Sequence, residues 1–169
     1  MTRAAIDALL YLLDESFSGN DEHSLMANLR SVRTEDWLWK PQEGHRSIRR
    51  IAEHAGTAYW VYENHLFGYA TTNYQGYLSN APSANAPDAM RDTIAWIEQG
   101  FARFRAGVDA LDDDALPRPS KTHYGPVAET RFIISVMVGH AIYHAGEINH
   151  IRALRQGNDR WWPELAPPS

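Results

Sequence analysis

Apolar residues recur at steps of three and four along four stretches of this chain, the spacing of amphipathic helices. In the first stretch Ile6, Leu9, Leu10, Leu13 and Phe17 share a face, and after the polar break "SGNDEH" the rhythm resumes in Leu25, Met26, Leu29 and Val32. This predicts one long helix, broken or kinked near Gly19. The connector "TEDWLWKPQEGHR" follows, and Ser47 then offers an N-cap to Ile48, Ile51, Ala55, Ala58 and Tyr62, predicting a second helix that ends near Gly68. The segment "GYATTNYQGYLSNAPSANAP" reads as a loop, long enough to be expected to shape a site. Pro87 suits the first turn of a third helix. Its stripe of Met90, Ile94, Ile97, Phe101, Phe104, Val108 and Leu111 is the cleanest in the sequence and reads as core. After the connector "LDDDALPRPSKTHYGP", a fourth helix is predicted from about Val127 to Gln156, stopped by Gly157. No strand pattern, internal repeat or low-complexity tract is evident. The expected fold is all-α, a four-helix bundle forming one domain over residues 1–169.

Composition narrows the chemistry. The chain has 169 residues, 44% of them hydrophobic, and a formal charge of -5 with no run of lysines or arginines, which argues against nucleic acid as a partner. It has no cysteine, so disulfides, thiolate metal sites and a cysteine nucleophile are excluded together. Any metal must be held by nitrogen or oxygen. Asp7, Asp14 and Glu15 interrupt the apolar start, which predicts no signal peptide, and no stretch reaches the roughly 20 apolar residues of a membrane span. A cytoplasmic protein that does not engage membranes is expected.

The fourth helix carries the unusual feature. Ile133, Met137, His140, His144, Ile148, Ile151 and Leu154 follow one another at helical steps, so two imidazoles lie on the apolar stripe. Four residues apart, they stand one turn from each other, about 6 Å along the axis, and both can bind one ion. Glu147 returns to the same face, where it could ligate, orient a ligand or accept a proton. His150 turns toward the side and reads as a rim residue. A third ligand would have to come from a facing helix. The second helix offers His54, among Ile51, Ala55 and Ala58, and His65 on the same face roughly 16 Å further along, so only one of them can serve that ion. His23, His45 and His123 fall in connectors and are expected to be exposed.

The pairing of "HRSIRRIAEHAGTAYW" with "GHAIYHAGEI" some ninety residues later resembles the DinB superfamily of damage-inducible, YfiT-like metal-dependent enzymes, over nearly the whole chain. By motif position the resemblance implies that His54, His140 and His144 bind a divalent metal. It also implies an up-down-down-up bundle, homodimeric, with the metal at one end of a cleft. Many relatives continue His-x-Gly-Gln where this chain has "HAGE", which makes Glu147 a departure from the commonest form.

Three neutral imidazoles leave an ion its full charge and an open position, so zinc, nickel, iron and manganese all suit the site. Such an ion lowers the pKa of bound water to about 7, or takes a thiol as thiolate. Because characterised relatives include transferases using bacillithiol or mycothiol, the resemblance implies S-transfer of a low-molecular-weight thiol to a small electrophile. A second reading is hydrolysis of an amide or ester with Glu147 as base. A third is a non-catalytic metal- or ligand-binding module. Trp37, Trp39, Tyr74, Tyr77, Tyr124, Trp161 and Trp162 are candidates to wall the substrate pocket, though each could equally cover a bundle end.

Overall fold

The computed structural model describes residues 3–43, 45–85 and 88–158. Pro87, Trp161 and Trp162 lie outside them. The first apolar stretch forms α1 (Ala4–Asp14), which widens into a π-turn over Glu15–Gly19 and stops. Ser24 restarts the chain as α2 (Leu25–Arg30), its side chain accepting a hydrogen bond from the Ala27 amide. The break at Gly19 is therefore real. Ser47 caps α3 (Ile48–Phe67) by accepting from the Arg50 amide, and Gly68 closes it. Within the long loop sits a short helix, α4 (Tyr74–Leu78), capped by Asn73, whose Oδ1 accepts from the Gly76 amide at 2.9 Å. The third apolar stripe is α5 (Ala89–Asp109).

The last helix, α6, begins at Thr130 rather than Val127, and runs to Gln156 with Gly157 in the left-handed conformation at φ 73°. The displaced residues form a small sheet that the sequence pattern did not reveal. Strand β1 (Pro119–Lys121) pairs antiparallel with β2 (Val127–Glu129), Ser120 opposite Ala128. Three-residue strands are too short to show an alternating pattern. The hairpin is instead fixed by its turn, where Gly125 has φ 107° and Thr122 Oγ1 donates to the Pro126 carbonyl.

Packing sets the directions of the four long elements. Gly56 lies against Trp96, Trp60 against Gly100 and Phe67 against Gly107, a constant offset that makes α3 and α5 parallel. Against α1, Arg3 bonds to Asp109 while Asp14 pairs with Arg105, so α1 and α5 are antiparallel. Ala5 and Leu9 lie by Phe132 and Ser135, and Asn28 bonds to Arg152, so α6 runs with α1 and α2. The topology is up-down-down-up, and the long segment before α5 returns the chain to the starting end. Phe17 stacks on Phe101 with ring centroids 3.7 Å apart, amid fully buried Ile51, Phe104 and Met137. The fold is the expected all-α bundle.

The α3–α5 contact allows one stability test. A Cβ on Gly56 would meet Trp96 Cζ3 at 2.5 Å and the fully buried Ile97 Cγ1 at 2.7 Å, neither on a flexible chain end. Gly56→Ala is expected to lower stability by about 1–3 kcal/mol through overpacking, despite its better helix propensity. The check is a lower urea midpoint at unchanged m-value.

Candidate metal centre

The Ser47 cap fixes where α3 begins and so places His54 on its second turn, facing α6. On α6 the buried Met137, Ala141, Ala145 and Ile148 anchor one face against the bundle, and the small Ala141 and Ala145 leave room for the imidazoles beside them. His54, His140 and His144 meet there. Their Nε2 atoms converge: His140 lies 3.2 Å from His54 and 3.0 Å from His144. One nitrogen from each ring can be chosen so that all three lie within 4.8 Å of one another. His65 stays apart, its Nε2 3.2 Å from the Thr72 carbonyl.

Two of the three outward nitrogens are held. His144 Nδ1–H donates to Glu147 Oε2 at 2.5 Å, which leaves its Nε2 with a lone pair. The Tyr74 hydroxyl lies 2.5 Å from His54 Nδ1, and Glu147 Oε1 accepts from Arg46. His140 Nδ1 is buried without a partner among the described residues. Burial, then the neighbouring imidazoles, depress His140 to a pKa of about 3; burial, His54 and the Arg46 guanidinium do the same for His144. His54 is lowered too, chiefly by burial and then by Arg46. All three rings are neutral at pH 7 and present lone pairs.

This donor set fits a divalent ion. A closed hydrogen-bonding triangle would leave imidazole lone pairs facing each other, whereas nitrogens about 2 Å from a shared tetrahedral ion sit ~3.3 Å apart, near the spacing found. The orienting carboxylate and hydroxyl are the outer partners that metal-binding histidines ordinarily have. Beside the triad opens a cleft of 680 Å³, bordered by Arg46, Glu147 and Tyr143, with the exposed His150 at its edge.

Several expectations change. His123, expected in solvent, is half-buried: the β1–β2 turn folds it against Tyr62 and within 6.1 Å of the Tyr74 ring, and burial lowers its pKa. His23 and His45 are exposed. The aromatics do not form one wall. Trp37 is buried, Trp39 lies under Arg155, Tyr77 stacks on Trp60 and Tyr124 meets His123 edge-on, so that of the described candidates Tyr74 is the one against the triad. Arg46 was invisible in the sequence, because a lone arginine before a helix cap has no periodicity to mark its partner.

Fold and site together define a helical bundle carrying a three-histidine centre next to a cleft that Glu147, the partner of His144, lines. The chain belongs to the DinB superfamily, whose family model matches residues 21–148. Among solved structures it is similar to a DinB-like protein from Bacillus subtilis (YjoA), with a TM-score of 0.62 and 14% identity over 89% of this chain and 92% of that one. That likeness concerns the fold. No curated protein matches the sequence.

Proposed function

We propose that this protein is a metal-dependent enzyme in which His54, His140 and His144 hold one divalent ion, zinc, nickel, iron or manganese. We further propose that it transfers a low-molecular-weight thiol, of the bacillithiol or mycothiol kind, to a small electrophile. The observation that carries this reading is the convergence of three neutral Nε2 atoms beside an open cleft. A divalent ion on these nitrogens would supply a Lewis acid able to make a water or thiol nucleophilic at neutral pH.

The chain supplies the rest. Glu147 and Tyr74 hold the rings of His144 and His54 so that both Nε2 atoms face inward. The Arg46 guanidinium offsets the charge of Glu147 and keeps the carboxylate in place. Both oxygens of Glu147 are thus engaged, which favours thiol transfer over hydrolysis, since hydrolysis would ask that carboxylate to take a proton from water. In the transfer the sulfur–carbon bond forms, the leaving group departs from carbon, and the thiol proton leaves with it.

We extend the proposal to a single domain acting as a cytoplasmic homodimer on small molecules. Among the described residues no helix is long and apolar enough to cross a membrane, and the exposed Phe132 and Ile142 of α6 offer apolar surface to a second copy. Sedimentation velocity checks the dimer.

The activity test uses tag-free protein loaded separately with each metal and offered monochlorobimane with bacillithiol or mycothiol. Conjugation that needs both thiol and metal, and stops with chelator, supports the proposal. Ester or amide turnover without thiol would replace it with hydrolysis, and no turnover of either kind would leave a binding module. Glu147→Gln is expected to weaken zinc affinity about 10–100-fold, with a smaller loss for Tyr74→Phe, by competition with a chromogenic chelator. Unchanged affinity in Glu147→Gln would deny the carboxylate its orienting role.

A further inference from the structure

The cleft beside the histidines holds a guanidinium, Arg46, next to a carboxylate that is already engaged. Its volume of 680 Å³ suits a small molecule. Tyr143 stands 62% exposed along it, the edge of Ile151 adds apolar surface, and a Cβ on Gly146 would find no atom within 4 Å. The polar lining is Arg46, His45, His150 and, among the described residues, a single carboxylate, Glu147. That carboxylate is already committed, one oxygen to His144 and one to Arg46.

Arg46 is not used up in return. Its contact with Glu147 runs through Nη2, its side chain is 43% exposed, and it is the one permanent cation in the lining among the described residues. A guanidinium offers five N–H donors on a planar fork, so a second edge remains to receive a two-oxygen anion. Its distance from the reacting end is set by a short path, from Arg46 through Glu147 to His144.

We propose that this cleft binds a small organic acid whose carboxylate is held by Arg46, with its apolar body along Tyr143 and the edge of Ile151. The substrate, or the thiol that attacks it, is therefore a carboxylate with an apolar part. This inference rests on the cleft being the substrate side of the histidine site, but every contact it invokes comes from the chain itself. A carboxylate is favoured over a phosphate because a single guanidinium matches one delocalised charge on two coplanar oxygens.

The test titrates 4-phenylbutyrate and its neutral counterpart 4-phenylbutanamide into the full chain, metal-free and zinc-loaded, followed by saturation-transfer NMR. The acid is expected to bind about tenfold more tightly than the amide in both forms. Arg46→Gln should bring the acid down to the amide's affinity. Because Arg46 also touches Glu147, a second variant is needed. Gly146→Leu fills the cleft from an exposed helix position, improves helix propensity, and should abolish binding of the acid while the zinc content of the sample stays as in wild type. Equal binding of acid and amide, binding of neither, or full binding of the acid by Arg46→Gln overturns the proposal. So does acid binding that requires zinc, which would place the carboxylate on the ion. Failure of the wild type to retain zinc, with the acid still bound to metal-free protein, would overturn the metal reading alone.

Discussion

Replacing His144 by alanine is expected to strip the protein of its metal. The ring is 2% exposed, its Nε2 faces the other two histidines and its Nδ1 is tied to Glu147, so nothing nearby can replace it. Losing one of the three proposed ligands should cost more than the roughly 10–100-fold that follows loss of an outer partner. His54→Ala and His140→Ala should behave alike, since each Nε2 sits in the same cluster. His65→Ala and His150→Ala should keep the wild-type ratio, because His65 is turned to the Thr72 carbonyl and His150 is exposed at the cleft edge. The measurement is the metal-to-protein ratio by plasma mass spectrometry, on protein prepared without metal-affinity resin. A His144→Ala variant that retains metal, or equal losses for His54 and His65, would end the assignment.

Acidification is expected to destabilise the metal-free protein more than its surface charges would suggest. In the fold His140 and His144 titrate at about 3, while in the unfolded chain an unperturbed histidine titrates near 6.5. Between those values the unfolded chain binds protons that the native cluster refuses, so stability is retained above about pH 6.5 and lost progressively below it. For two such groups the loss from pH 7 to pH 5 comes to about 4 kcal/mol, with His54 pulling the same way. Urea midpoints in the presence of chelator, at pH 7 and pH 5, report it. A flat profile would mean that the native cluster takes up protons freely. In loaded protein the same protons compete with the ion, so metal release should accompany the loss.

The long helices were legible because each buries one continuous face, whereas the short α4, which buries no residue, was read as loop. Ser47, the α5 stripe and Gly157 each mark their element by a local rule, a cap, a period or a left-handed residue, that operates within one or two turns. His140 and His144 were legible for the same reason: polar side chains on an apolar stripe stand out against it. The β1–β2 hairpin was not, since its two three-residue strands are held by pairing with each other rather than by a face of their own.

The partners of the histidines divide along the same line. Glu147, one turn from His144, could be placed on its face from sequence. Arg46 and Tyr74 could not, because they reach the triad from segments 101 and 20 residues distant from their contacts. The half-burial of His123 was likewise decided by where the hairpin turn comes to rest on α3. Sequence by itself determined which residues would face inward, because hydrophobic period and backbone geometry act locally. Only the tertiary structure decided which inward residues meet, how each imidazole is oriented and what charge stands beside it, because those depend on the packing of helices distant in the chain.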